Sequence, residues 1–170
     1  NAIKIIGQAN HIDEQAILSE QRLIEQAVRD PENFRIIYKR YYKMIFQFIY
    51  RRIDNEEITA DLTSQTFYLA LKNLKKYEFR GLPFSAWLYR IAHNLVANWH
   101  RDRSRRQEIP LDDLPVLHAK GDHPERNLVH SQEQDALLKL IRRLPSERQT
   151  LLILKFVEDM SNAEIGQIMG

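Results

Sequence analysis

The residues best equipped for chemistry lie between Lys75 and Arg106, in the stretch KKYEFRGLPFSAWLYRIAHNLVANWHRDRSRR. Arg90, Asn94, Asn98 and Arg101 step by four, four and three, so on a helix they form one stripe. Arginine presents a forked cation and asparagine a paired donor and acceptor, groups that suit phosphates and base edges. Arg103, Arg105 and Arg106 prolong the positive charge. Ahead of this helix, Tyr77 to Phe84 reads as a short loop with aromatics at both ends and Arg80-Gly81 inside. Exposed rings beside a cationic stripe suit unstacked bases, which lie flat on π faces. The combination reads as a surface for single-stranded nucleic acid. The competing reading makes Phe79, Phe84 and Trp87 core residues and the arginines a solvated face, the last of them complementing the helix dipole. Trp87 and Trp99 are expected in the core, and Phe79 stays open between the two readings.

Other chemistry finds little support. The chain has no cysteine and only five glycines, so a thiolate nucleophile is absent and a phosphate loop is not expected. His93 and His100 stand two turns apart on one helix, about 10 Å, too far to share a metal. His118, His123 and His130 and the pair Asp112-Asp113 lie in or beside a proline-containing stretch with no fixed geometry. No catalytic residue, metal ligand or cofactor is expected, and the protein is not read as an enzyme.

The elements that must hold these residues are helical. The chain has 170 residues, 44% hydrophobic and 28% charged, an ordinary soluble composition. No apolar run approaches the roughly 20 residues needed to cross a bilayer. Of sixteen aromatics, fifteen lie between Phe34 and Trp99, so one aromatic core is built from the first hundred residues. A helix is expected from a cap at Asp13 toward Arg29, ended by Asp30-Pro31. Phe34, Ile37, Tyr38, Tyr41, Ile45, Phe48 and Ile49 mark a second helix, followed by a turn at Asp54-Asn55. Phe67, Ala70, Leu71 and Leu74 mark a third, expected to start near Asp61. Phe84, Trp87, Leu88, Ile91, Ala92, Leu95, Val96 and Trp99 fit the amphipathic template without a gap. No convincing alternating strand is found.

Glu108 to Pro124 holds three of the six prolines and no helical period, which reads as a linker. Charge sorts across it. Phe79 to Arg106 carries six arginines against Asp102, and Gln107 to Asp135 seven acids against two cations, although the net charge is only +2. A basic block followed by an acidic one fits either two surfaces with different partners or two solvated faces. Beyond Ser131 helical patterning returns. Ser146 with Gln149 and Ser161 with Glu164 fit the capping-box pattern. The short helix Ala163 to Met169 before Gly170 reads as the first half of a helix-turn-helix or as an ordinary helix with a glycine cap.

These motifs resemble a family. From about Leu23 to Arg106 the chain is similar to region two of the extracytoplasmic-function (ECF) sigma factors, which direct bacterial RNA polymerase to promoters. The first helix pattern is FRIIYKRYYKMIFQFIYRRI. A D-L-x-x-x-T-F signature is matched by Asp61, Leu62, Thr66 and Phe67, and F-x-x-W-L-x-x-I-A-x-N by Phe84, Trp87, Leu88, Ile91, Ala92 and Asn94. From about Gln134 the chain resembles the start of region four, cut before its recognition helix. The implied fold is all-α: a helical bundle joined by an acidic, proline-containing linker to a small helix-turn-helix-type domain. The implied divisions are an extension 1–22, region two 23–106, a linker 107–131 and a partial region four 132–170.

The resemblance also implies roles. Asp61, Ser64, Gln65, Tyr68 and Lys72 would face the clamp helices of the polymerase largest subunit. The loop after them would capture a minus-ten base with Phe79, Arg80, Gly81, Leu82 and Pro83. Arg90, Asn94, Asn98, Arg101, Arg103, Arg105 and Arg106 would hold the non-template strand and duplex edge. Region four would bind the flap of the second-largest subunit; without the recognition helix the sequence as given is not expected to read a minus-thirty-five element. An anti-sigma factor is a further implied partner. Two departures stand out: Ser64-Gln65 where the family often has Gln-Glu, and Asn98 where it often has Asp. The expected location is the bacterial cytoplasm, at the nucleoid or held at the inner membrane by an anti-sigma partner. The alternative function is a polymerase-independent helical module that binds DNA or a protein.

Overall fold

The computed structural model describes residues 14–107 and 132–170. Seven α-helices run in the order α1 (Glu14–Arg29), α2 (Phe34–Ile53), α3 (Glu56–Asn73), α4 (Phe84–Gln107), α5 (Gln132–Ile141), α6 (Ser146–Leu152) and α7 (Asn162–Met169). The fold is all-α, as the periodicity implied, with no strand among the described residues. None of these helices is long and apolar enough to cross a membrane. The expected cap Asp13 lies outside the described residues, and α1 runs through Leu23 without a break.

Helices α2, α3 and α4 form the main bundle around Ile37, Ile45, Phe48, Ile49, Phe67, Phe84, Leu88 and Val96. α1 lays Leu23, Ile24 and Ala27 on it. Asp54 ends α2 in the left-handed region (φ 55°), which a short polar side chain tolerates. Asn55 then caps α3, accepting from the Ile58 N–H at 2.9 Å. A connection this short forces the two helices antiparallel.

This start corrects the sequence expectation. α3 begins five residues before Asp61, because Asn55 is the better cap and Glu56 and Glu57 complement the dipole of the first turn. Asp61 is therefore an exposed mid-helix residue and not a cap. Thr59, Thr63 and Thr66 face inward, fully buried, which the apolar pattern did not show. Each hydroxyl donates to the carbonyl four residues back, at 2.7–2.8 Å, so all three are paired within their own helix.

The C-terminal helices hold a small core of Ile141, Ile153, Leu154, Met160, Ile165 and Ile168. Ser161 and Glu164 make the capping box at α7. The box expected at Ser146 and Gln149 does not form. Pro145 precedes α6 without a side-chain cap, and the Gln149 amide donates instead to the Arg142 and Leu144 carbonyls. Those carbonyls end α5 and are left open by the turn at Pro145, so the buried amide satisfies them. After α6 the chain widens into a π-helical turn, Ile153–Val157, that buries Ile153 and Leu154 and leads to Glu158. α7 packs along α4, so the C-terminal helices sit directly on the main bundle.

Candidate nucleic-acid interface

The loop before α4 has an anchored base and a free tip. Tyr77 packs edge-on against Phe84 (5.0 Å between centroids) and tilted against Trp87 (5.1 Å), while Tyr41 closes the cluster on Phe84. Burial and the Glu20 carboxylate push the Tyr77 phenol up to about 12, so it stays protonated. Gly81 takes φ 77°, a left-handed turn that glycine adopts without strain. Glu20 of α1 accepts from the Tyr41 hydroxyl and from the Phe84 N–H (3.0 Å), tying α1 to α2 and satisfying the first amide of α4.

At the tip, Phe79 is 40% exposed, which decides the question the sequence left open. Arg80 is exposed beside Glu78 at 3.7 Å, a solvent-screened pair that leaves its guanidinium available. Leu82 and Pro83 are half-buried. Trp87 and Trp99 are likewise half-buried against the core.

Arg90, Asn94, Asn98 and Arg101 are all exposed along α4, on one stripe that begins beside the loop. Arg101 donates to the Asn98 side-chain oxygen at 2.9 Å. Arg103 lies over the Trp99 ring at 5.3 Å, and Arg105 is exposed. The side chain of Arg106 lies outside the described residues. The stripe therefore offers two guanidiniums and two amides, with an exposed ring and a third cation at its head. On α3, Asp61, Ser64, Gln65, Tyr68 and Lys72 are exposed on one face, Tyr68 to 63%. Leu71 adds an exposed aliphatic side chain there.

Sequence reasoning missed a polar cluster where the C-terminal helices meet α2 and α4. Glu158 accepts from Arg51 and from the Tyr89 hydroxyl, the latter at 2.7 Å. Arg142 reaches Asp54 at 2.5 Å and donates from Nε to the Arg51 carbonyl. Arg52 is only 3% exposed, donates to the Ser146 hydroxyl (2.6 Å) and stands 3.4 Å from His93 Nδ1. Burial lowers the Arg52 guanidinium to about 10, still charged at neutral pH. Burial first, then the Arg52 charge, lower His93 to about 4, so its imidazole is neutral. The basic run RRID at the end of α2 was the only visible signal of this cluster, and it reads as dipole compensation.

The fold and surface define an all-helical protein with a cationic, aromatic-headed stripe along α4 and a separate exposed face on α3. Comparison with known proteins narrows the class. The family model for Sigma-70 region 2 matches residues 37–106, and that for Sigma-70, region 4 matches residues 134–170. The chain is 32% identical over 136 residues to the RNA polymerase sigma factor YlaC of Bacillus subtilis, covering 79% of this chain and 78% of YlaC. It is 32% identical over 149 residues to the ECF RNA polymerase sigma factor BldN of Streptomyces coelicolor, covering 87% of this chain but spanning 56% of BldN. Among solved structures, the fold is similar to the sigma factor RpoE of Bartonella quintana, determined with the anti-sigma factor NepR. That match has a TM-score of 0.61 at 18% identity and covers 81% and 82% of the two chains. This chain belongs to the ECF sigma factor family.

Proposed function

We propose that the chain acts as a sigma subunit: it binds bacterial core RNA polymerase, recognises the minus-ten element and melts it to start transcription. The observation that supports this most is the exposed stripe Arg90, Asn94, Asn98 and Arg101, headed by a loop whose tip presents Phe79 and Arg80. Phe79 to Pro83 form the pocket wall for one unstacked base, where stacking on an aromatic is worth about 1–3 kcal/mol. The arginines, with Arg103, Arg105 and Arg106, hold phosphates, and the asparagines contact sugar or base edges. The subunit supplies binding and positioning, and the bond-forming chemistry belongs to the polymerase.

Asp61, Ser64, Gln65, Tyr68 and Lys72 form the face for the clamp helices of the largest subunit. Ser64-Gln65 carries no charge where relatives often have a carboxylate, so exposed Tyr68 and Leu71 take a larger share of the contact. Exposed Leu137, Leu140, Leu151 and Phe156 in the C-terminal helices give an apolar surface for the flap of the second-largest subunit. An anti-sigma factor would compete for these same faces. Such a protein works in the cytoplasm, on the nucleoid or held at the inner membrane by that partner.

The test is binding to fork-junction promoter DNA with an exposed non-template strand, at fixed salt, with and without core polymerase. Tight, strand-specific binding that needs the core enzyme is expected. Equal binding without it would favour a polymerase-independent DNA-binding or protein-interaction module.

A further inference from the structure

We propose that Glu20, on α1, is a positioning residue for base capture: it braces the loop Tyr77–Pro83 from both ends and so sets where Phe79 meets an unstacked minus-ten base. The proposal rests on the sigma-factor reading above. It adds a residue that lies outside the region 2 match, residues 37–106, in a stretch the sequence presented only as an extension.

The exit of the loop depends on this carboxylate. Gly81, Leu82 and Pro83 precede α4, and none has a side chain that can accept a hydrogen bond. The first amide of a helix has no partner within the helix. Glu20 provides one from 64 residues away: its Oε2 accepts from the Phe84 N–H at 3.0 Å. A negative charge also suits the positive end of the α4 dipole.

The entrance of the loop is held from the same helix. The 3₁₀ turn Leu74–Lys76 packs on α1, and the Tyr77 N–H closes it by donating to the Leu74 carbonyl at 3.0 Å. Glu20 Oε1 accepts from the Tyr41 hydroxyl, and the Tyr41 ring lies 5.9 Å from Phe84. Tyr77 packs edge-on against the same Phe84 and is near enough to feel the Glu20 charge. Both ends of the loop therefore converge on one half-buried carboxylate. Between those ends Glu78, Phe79, Arg80 and Gly81 are all exposed, so the tip takes its place from its ends. A binding side chain has to be held within about 0.5 Å by the groups behind it, and here the group behind is Glu20.

The test uses holoenzyme made from the full chain and bacterial core polymerase. Fork-junction DNA is first selected by the parent from a pool with randomised minus-ten non-template bases. An abasic nucleotide is then placed at each minus-ten position in turn, at fixed salt. The captured position is the one where the abasic penalty disappears in Phe79→Ala. Glu20→Ala should cut the penalty at that position about fivefold or more, the lower end of what stacking one base on an aromatic contributes. Penalties at the other positions should stay as in the parent. The double variant Glu20→Ala with Phe79→Ala should lose no more there than Phe79→Ala alone, because the brace acts through the ring. Glu20→Gln, with one accepting oxygen for two donors, should lose part of the penalty, and it decides the matter if Glu20→Ala fails to fold.

A Glu20 that only stabilises the fold would weaken every fork equally and leave each abasic ratio unmoved, which would overturn the proposal. Amide exchange in the free full chain reads the brace without polymerase. The Phe84 amide should be protected in the parent and exchange tenfold or more faster in Glu20→Ala. That change should exceed the one at Ile49 in the α2 core, which reports any general loss of stability. An unprotected Phe84 amide in the parent would overturn the brace itself. A protected amide in a chain whose holoenzyme binds no fork would instead overturn the sigma reading, and the base-capture role with it.

Discussion

Arg90 and Asn94 show how little a side chain needs when a helix aims it: neither is buried, and their spacing alone puts them on one line. Arg90→Ala should weaken binding of the holoenzyme to single-stranded promoter DNA and reduce the log–log salt slope by about 0.7, the share of one phosphate contact on a single strand. Asn94→Ala should weaken binding without changing that slope, because an amide displaces no counter-ion. Titration at several salt concentrations separates the two, and an unchanged slope in Arg90→Ala would remove that residue from the phosphate contacts. Phe79→Ala should lose about 1–3 kcal/mol of affinity for the fork while the fold is unaffected, since the ring is exposed and the loop is anchored by Tyr77. The sequence showed the stripe because helical spacing is a local property. It could not show the state of Phe79, because a ring between two helices is buried or free according to how the helices converge.

At the scale of elements, Asn55 and Ser161 cap α3 and α7, and one carboxylate bridges the N-terminal helices. Glu20 joins three helices through Tyr41 and the first amide of α4. Glu20→Gln should lower stability by about 1–2 kcal/mol, since hydrogen bonds to a charged group are the stronger kind. A urea titration would show a lower midpoint at unchanged slope; an unmoved midpoint would mean that the contact contributes nothing net. On α3 the exposed face and the buried face are separable. Asp61→Lys should therefore reduce polymerase binding more than DNA binding and leave the melting temperature nearly unchanged. The latter follows because Asp61 is exposed and caps nothing. A large loss of stability would return Asp61 to a structural role. The expected start of α3 at Asp61 was late because its first apolar contacts, Ile58 and Leu62, are diluted by threonines. Those threonines pass as core only because each bonds its own helix.

For the whole molecule, stability depends on pH through His93, which lies where the regions meet. His93 faces Arg52 from α2 and Ser146 and Thr150 from α6, with Glu158 beyond Tyr89 on the same side. In the folded protein its pKa is lowered to about 4. In the unfolded chain it is about 6.5. The unfolded chain therefore gains protons first as pH falls. The fold keeps this contribution in full above about pH 6.5 and loses it toward pH 4, at up to about 1.4 kcal/mol per unit. The melting temperature should fall as pH is lowered from 7 to 5, before most carboxylates titrate. His100 is shifted downward by burial, Arg52 and Arg103, so it adds in the same direction. A His93→Gln variant, neutral at every pH, isolates the part due to His93, and an identical pH response in that variant would assign the effect elsewhere.

What the sequence determined by itself was whatever depends on neighbours along the chain. It set the helical class, the turn at Asp54-Asn55, the capping box at Ser161, the left-handed Gly81 and the alignment of Arg90 with Asn94, Asn98 and Arg101. Periodicity and capping are short-range, so they can be read from residue types and spacing. The tertiary structure alone decided that region four sits on α4, that Arg52 is buried with no carboxylate partner among the described residues and that Glu158 ties the two regions together. Arg51 and Glu158 are 107 residues apart. No local pattern links two charges at that separation, because their meeting is set by how separately formed helices dock.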